Sequence, residues 1–176
     1  MSIPSLETPR LLLRPWTMED TGTLFGILQE PGILIYFPPT SFTLEKTRGY
    51  IDHQLKHWQA RGCGHWAVTL KDDRQVIGWA GLEFLPETDE HEVAYLLSHK
   101  AWGQGYATEA ARASLAYGFE TAALSAIIGL VHPENIGSIR VLEKCGLSFI
   151  DRKVYWGMEM CRYRGESGEQ AVHKSR

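Results

Sequence analysis

Apolar residues in the first third of the chain predict one strand and two helices. A short apolar run at 10–16 ends at Pro15 and predicts a strand. Segments 17–30 and 43–62 each place apolar residues on one helical face, and we predict a helix for each. The proline-rich stretch 31–42 between them predicts a loop.

The apolar spacing then changes to that of strands. Runs at 65–70 and 75–85 flank the polar turn KDDR and predict a hairpin. Further strands are predicted over 91–98 and 124–131, and one or two more over 147–163.

Two more helices are predicted among these strands. The first runs from about Gln104 to Glu120, where apolar residues recur every four positions and can face a sheet. The second covers 135–146, with Asn135 as its cap and Gly146 at its end. The order of elements predicts a mixed sheet with helices packed on it, an α/β or α+β fold.

Composition narrows the class of protein. The 176 residues, 44% hydrophobic and 22% charged, suit one globular domain. A net charge of -3 without a long basic run does not favour nucleic acid. No apolar stretch is long enough for a membrane span, and the first residues do not resemble a secretory signal. Three widely spaced cysteines (Cys63, Cys145, Cys161) indicate neither a disulfide framework nor a zinc site, and favour a cytoplasmic location.

The stretch WGQGYATEA carries candidate chemistry, because Gly103 and Gly105 lie between a predicted strand and a predicted helix. At a helix start the first N–H groups lack intrahelical partners, and the peptide dipoles add about half a positive charge. Glycine also lets a ligand approach the backbone closely. The turn therefore predicts an anion site, with phosphate as the usual anion. A glycine-rich turn without a ligand is the alternative.

Two common phosphate motifs do not fit this turn. A P-loop requires a lysine after its last glycine, and none follows Gly105. A dinucleotide fingerprint requires a third glycine where Thr108 stands, and an acidic residue near 124–129, where there is none.

The stretches HEVAYLLSHKAWGQGYATEA and VHPENIGSIRVLEKCGLSF together resemble the GNAT superfamily of acyl-CoA-dependent N-acetyltransferases. The chain looks most like the branch of ribosomal-protein N-terminal acetyltransferases (RimJ/RimL-like), which LETPRLLLRPWTMED and VIGWAGL also fit. The resemblance runs from about Leu6 to Tyr163. It implies a single domain over 1–165, with a mostly antiparallel sheet of six or seven strands and about four helices. A polar tail at 166–176 is expected to be disordered.

The same resemblance implies acetyl-CoA as co-substrate. Its pantetheine arm would hydrogen-bond the main chain around Tyr95, Leu96 and Leu97, and Asn135 would bind the pantetheine or the acyl end. The diphosphate would lie on the turn and helix start, formed by Gly103, Gln104, Gly105, Tyr106, Ala107 and Thr108. We expect no metal, because His65 and His132 lack partners at ligand spacing.

Acetyl transfer to an amine sets further requirements. Only the neutral amine is nucleophilic, so a base is useful. Glu92 is the candidate base, with a solvated carboxylate at a strand end as the alternative. Ser138 is the candidate acid, one helical turn after Asn135, with a plain helix-start serine as the alternative. The tyrosine that other superfamily members often use is replaced here by Leu142.

The acceptor site is the least defined part of the sequence. Tyr36 and Phe37 are candidate aromatic walls, with ordinary loop packing as the alternative. Three tryptophans (Trp58, Trp66, Trp79) are expected in the core. A covalent acyl group on Cys145 is conceivable, but direct transfer requires no such residue.

The sequence therefore predicts direct acetyl transfer in a ternary complex to a primary amine, with a protein N-terminus as the first candidate acceptor. Amino acids, polyamines and aminoglycosides are alternative acceptors, and a non-catalytic CoA-binding domain is the alternative function. No nucleic-acid or membrane partner is expected, and the chain is expected to be a monomer or homodimer.

Overall fold

An eight-stranded sheet runs through residues 2–168, the part of the chain that this computed structural model describes. In chain order the strands are Leu6–Glu7 (β1), Leu11–Arg14 (β2), His65–Leu70 (β3), Val76–Leu85 (β4), Glu90–Leu97 (β5), Ala126–Val131 (β6), Ser148–Tyr155 (β7) and Met158–Glu166 (β8). The helices are Thr21–Leu28 (α1), Leu44–Arg61 (α2), Tyr106–Ala116 (α3) and Ile136–Lys144 (α4). None of the helices described is both long and apolar enough to cross a membrane.

The strands are ordered β1-β2-β3-β4-β5-β6-β8-β7 in the sheet. Every neighbouring pair is antiparallel except β5 and β6, which run parallel. The predicted α/β class, mostly antiparallel sheet and four helices are confirmed, but the strand count of six or seven was too low. The additional strand, β1, has only two residues and is too short to show a hydrophobic period. Most of the predicted tail, residues 169–176, lies outside the described residues.

Helices cover both faces of the sheet, as strand β3 shows. Trp66 and Val68 pack in a cluster with Ala110 of α3. Ala67, which points to the opposite face, packs with Leu24 of α1 and Ile51 of α2. A strand buried on both faces reads as a continuous apolar run, which is the pattern HWAVTL.

The predicted helix from Gln104 to Glu120 is divided in the structure. Its α-helical part is Tyr106–Ala116, and a single π turn continues it over Tyr117–Thr121. In that turn Gly118 is buried, and a Cβ there would lie 2.5 Å from Ile127 Cδ1. Glycine is therefore needed for the close contact between this turn and the sheet.

The turn between β7 and β8 has an unusual backbone. Tyr155 pairs with Met158, and the two residues between them, Trp156 and Gly157, have φ angles of 50° and 79°. A two-residue hairpin of this kind requires positive φ at both positions. For Trp156 that conformation is unfavourable, and it is held by the flanking strands.

Asp20 organises the turn that leads into α1. The Asp20 carboxylate accepts the Thr17 N–H at 2.9 Å and two hydrogen bonds from the Arg14 guanidinium at 2.8 and 2.7 Å. Burial alone would raise the pKa of Asp20, but the hydrogen bonds from Arg14 and Thr17 lower it below its ordinary value.

We expect Asp20→Asn to lower the free energy of unfolding at pH 7 by about 1–3 kcal/mol, because the half-buried Arg14 loses its counter-ion. Since the folded state lowers the pKa of Asp20, its contribution is present above the ordinary pKa and is lost as pH falls through the lowered one. Urea unfolding at pH 7 and pH 3 measures this difference, with exposed Glu19→Gln as the control. Equal stability of Asp20→Asn and the wild type at pH 7 would contradict it.

Candidate active site

A gap opens in the sheet where β5 and β6 separate. The two strands pair at one position, Glu92 with Ile128. From there to Leu97, β5 stays paired with β4, but no strand of the described chain pairs with its other edge. The start of α4 lies across the gap, and the Tyr95 hydroxyl donates to the Ser138 carbonyl at 3.1 Å.

Two adjoining cavities occupy this gap. One, of about 450 Å³, contains Glu83 and Glu92, and we call it the carboxylate cavity. The other, of about 570 Å³, contains Gly103 and Gly105, and we call it the turn cavity. Six residues line both cavities: Tyr36, Phe37, Tyr95, Leu96, Asn135 and Ser138. The two cavities therefore meet at the gap between β5 and α4.

The backbone of the glycine turn is suited to bind an anion. Gly103 and Gly105 have φ angles of 73° and 81°, a conformation that other residues resist. Helix α3 then begins, and its N–H groups at 106–108 precede the first helical hydrogen bond, from Glu109 N–H to the Gly105 carbonyl at 3.1 Å. These residues line the turn cavity. Gln104 does not line it, and its side chain donates to the Lys100 carbonyl.

Arg10, which the sequence did not single out, holds this turn in place. Its guanidinium donates to the Gln104 carbonyl at 2.9 Å and to Glu109 at 2.7 Å, and it lies 4.4 Å from the centre of the Tyr106 ring. Glu109 also accepts the Thr8 hydroxyl at 2.6 Å. The segment just before β2 thereby holds both the glycine turn and the first turn of α3.

The two cavities differ in charge. Arg140 and Lys144 line the turn cavity, together with Glu134. Among residues 2–168, the carboxylate cavity has three glutamates in its lining (Glu83, Glu87, Glu92) and no lysine or arginine. The turn cavity therefore suits an anionic ligand, and the carboxylate cavity suits a cationic one.

Glu92 is buried at the fork of the sheet. It is 8% exposed, so it is not the solvated carboxylate that was the alternative to a base. Burial and the neighbouring charge of Glu83 raise its pKa to about 8, with a smaller opposing effect from the Leu130 N–H. Such a group exchanges its proton near neutral pH, as a general base must.

Asn135 and Ser138 lie at the junction of the two cavities. The Asn135 Oδ1 accepts the Ser138 N–H at 3.1 Å, so the predicted cap of α4 is confirmed. Both side chains are half-buried and line both cavities. Asn135 and Ser138 can therefore contact a ligand in the cavities while they also form the cap of α4.

The loop between α1 and α2 forms one wall of the site. The Tyr36 ring stacks on His132 at 5.2 Å, and its hydroxyl donates to the Glu134 carbonyl at 3.3 Å. The Phe37 ring packs edge-on against Trp79 at 6.3 Å. Loop packing and cavity lining, the two alternatives for Tyr36 and Phe37, therefore coexist.

The tryptophans divide between core and site. Trp58 and Trp66 pack together in the core, with ring centres 4.6 Å apart, as expected. Trp79 is 7% exposed, yet it also lines the carboxylate cavity. The sequence therefore predicted its burial but not its place in the site.

Several other lining residues were not recognised from the sequence. Tyr50, Glu83 and Trp156 line the carboxylate cavity, and so does His65, which was considered only as a metal ligand. Glu83 could have been recognised from the sequence as a candidate site residue, because it is the only carboxylate in the apolar run 76–85. Its register against Glu92 is visible only in the folded hairpin.

Cys145 lies outside both cavities. Its thiol faces the Thr108 carbonyl at 3.7 Å, and burial raises its pKa to about 11. A protonated thiol is a poor nucleophile, so the geometry does not favour an acyl-cysteine intermediate.

Comparison with known proteins decides the family. Residues 10–148 match the family model described as an acetyltransferase (GNAT) domain. This chain belongs to the GNAT acetyltransferase family. It is similar to an uncharacterized N-acetyltransferase, YnaD, of Bacillus subtilis, with 30% identity over 81% of each chain. The predicted family and acetyl-CoA-dependent N-acetyltransferase activity are confirmed.

Solved GNAT structures share its fold. An acetyltransferase from Agrobacterium tumefaciens matches with a TM-score of 0.82 and 30% identity, over 95% of this chain and 96% of that one. A ribosomal L7/L12 α-N-protein acetyltransferase, RimL, in complex with coenzyme A matches with a TM-score of 0.79 and 14% identity, over 93% and 98%. At that identity the likeness concerns the fold alone.

We expect Arg10→Met in this GNAT enzyme to raise the Kd for acetyl-CoA about tenfold, because the glycine turn loses its anchor. Arg152→Met is the control, since Arg152 pairs with Glu159 on the exposed hairpin of β7 and β8. Calorimetric titration measures both. An unchanged Kd for a folded Arg10→Met variant would show that the turn is stable without the guanidinium.

Proposed function

We propose that this enzyme transfers the acetyl group of acetyl-CoA directly to a primary amine while both substrates are bound. The observation that carries the proposal is the pair of adjoining cavities, one suited to an anion and one to a cation, that meet beside Ser138. A ternary complex requires two such compartments with a shared boundary, because the amine must reach the thioester carbon.

Acetyl-CoA would occupy the turn cavity. The N–H groups from Gly105 through Thr108 would receive the diphosphate, and Arg140 and Lys144 line the same cavity. The pantetheine arm would follow the edge of β5 at Tyr95–Leu97 that no strand within residues 2–168 pairs with. Asn135 would bind the pantetheine or the acyl end.

The reaction follows from this placement. The neutral amine nitrogen attacks the thioester carbonyl carbon, and a C–N bond forms while the carbonyl oxygen takes up negative charge. The intermediate then collapses, the C–S bond breaks, and coenzyme A leaves as its thiolate. The proton that the amine nitrogen loses passes to Glu92, directly or through water, and one proton converts the thiolate to the thiol.

Glu92 supports the proton transfer because of its raised pKa. With a pKa of about 8, about a tenth of the carboxylate is ionised at pH 7, and the fraction rises with pH. A peptide α-amino group has a pKa near 8 as well, so base and amine are closely matched. This match is why we propose a protein or peptide N-terminal amine as the first candidate acceptor, ahead of a small-molecule amine.

Ser138 would act on the leaving group. Its side chain lies at the boundary of the cavities, at the start of α4. A hydroxyl is a weak acid, so its role is to donate a hydrogen bond to the thiolate or to orient a water that protonates it.

We expect Glu92→Gln to lower kcat/KM about 100-fold, since glutamine accepts no proton. Ser138→Ala should lower kcat about tenfold with little effect on the KM for acetyl-CoA. Release of free thiol with peptides, amino acids, a polyamine and an aminoglycoside measures both.

Glu87→Gln is the matched control, because Glu87 is exposed at the rim of the carboxylate cavity. If coenzyme A binds tightly but no amine is acetylated, the chain is a non-catalytic CoA-binding domain instead.

A further inference from the structure

The residues that line the carboxylate cavity restrict which amines can bind there. We infer that the acceptor is a primary amine on an aromatic body that carries no free carboxylate, and that Glu83 binds its ammonium group. This inference rests on the proposed function, because it names the acceptor class of the same site. Three features of the cavity support it: its charge, the Nε2 atom of His65, which has no hydrogen-bond partner among residues 2–168, and its aromatic walls.

The charge of the lining excludes acidic acceptors. No lysine or arginine of the described chain lines this cavity, whereas three glutamates do. A carboxylate that enters beside them would lose its hydration without gaining a cationic partner. A free amino acid is therefore a poor acceptor, whereas an amine or an amino-acid amide meets no such cost.

Glu83 is placed to receive the ammonium group. It lies directly opposite Glu92 across the β4–β5 pair, and both side chains line the cavity. Glu83 is the more accessible of the two, with 31% of its side chain exposed, so an ammonium group that enters the cavity can reach it. Within the described chain, its near cationic candidates are two histidines, His53 at 3.9 Å and His65 at 3.4 Å.

His65 supplies no positive charge to Glu83 at neutral pH. It is 3% exposed, and burial lowers its pKa to about 4, so it is neutral at pH 7. Its Nδ1 forms a hydrogen bond with the Tyr50 hydroxyl at 2.7 Å. Its Nε2 faces Glu83 and has no hydrogen-bond partner among the described residues, although it is fully buried. An ordered polar group without a partner beside a carboxylate indicates that a ligand completes the site.

The walls of the cavity fit an aromatic body. Trp79 stacks on the His65 ring at 4.3 Å, and Phe37 packs edge-on against Trp79. Tyr36 and Trp156 add two more rings to the lining. Aromatic rings bind other rings and also attract a cation over their faces.

Matched acceptors test the inference. Tryptamine, tryptophanamide and tryptophan share an indole and an amine, and only tryptophan has a carboxylate. We expect kcat/KM for tryptamine and tryptophanamide to exceed that for tryptophan about 100-fold. Spermidine, a cation without a ring, should also be poor. A peptide amide that begins with tryptophan distinguishes a peptide acceptor from a small-molecule acceptor. Its kcat/KM should equal that of tryptophanamide if the natural acceptor is a peptide N-terminus. Its kcat/KM should be lower than that of tryptophanamide if the natural acceptor is a small amine.

Variants test whether Glu83 binds the ammonium group. Glu83→Gln should lower kcat/KM for tryptamine about 30-fold, mainly through KM, whereas Glu19→Gln, which is exposed and lines neither cavity, stays within about twofold of wild type. The melting temperature of each variant shows that it is folded. Equal use of tryptophan and tryptamine, or equal behaviour of the two variants, would overturn the inference.

Calorimetric titration of the same compounds into the enzyme–coenzyme A complex separates this inference from the proposed function. Binding of tryptamine but not tryptophan, weakened in Glu83→Gln, supports the acceptor class even if no turnover occurs, in which case only the catalytic proposal fails. Turnover of other amines without this binding preference would support the catalytic proposal and overturn the acceptor class.

Discussion

Strand β5 pairs with β4 along its whole length. It pairs with β6 at a single position, Glu92 with Ile128. A parallel pair that separates after one position leaves main-chain donors and acceptors along the free edge of β5, and these groups require partners. The same separation makes room for the start of α4, which brings Ser138 opposite Tyr95. One interruption in the sheet thus supplies a binding edge, a cleft and a buried carboxylate at the point where the strands part.

The cleft joins two environments of opposite electrostatic character. On one side, glycines in left-handed conformations and the first N–H groups of α3 form an anion site, which Arg10 supports from the residue before β2. On the other, Glu83 and Glu92 occupy neighbouring strands in a cavity walled by aromatic rings. Two adjacent carboxylates are unfavourable in an empty site, and a bound ammonium group would offset that cost. Polar groups without partners are tolerated where a ligand completes them.

Most of the fold was predictable because its elements are long and regular. The run 65–70 and the helix 43–62 show clear periods, and the structure has β3 and α2 there. The glycine turn was recognisable because backbone chemistry alone defines it, and its residues are adjacent in sequence. In contrast, β1 is two residues long and has no period to detect.

The acceptor side was not predictable for a different reason. Glu83 and Glu92 are brought together by the register of a hairpin, and His65 joins them from a third strand. Arg10 reaches Gln104 across 94 positions of sequence. Such contacts depend on register and packing, which hydrophobic spacing does not specify. The burial of Glu92, which changes it from a solvated group to one with a raised pKa, is likewise a property of the packed sheet.

A crystal structure of the enzyme with coenzyme A and a non-reactive amine tests the central claim most directly. The account predicts that the diphosphate contacts the main chain between Gln104 and Thr108, that the pantetheine follows Tyr95–Leu97, and that the sulfur ends between Glu92 and Ser138. A complex in which the glycine turn is empty while coenzyme A binds elsewhere would contradict it.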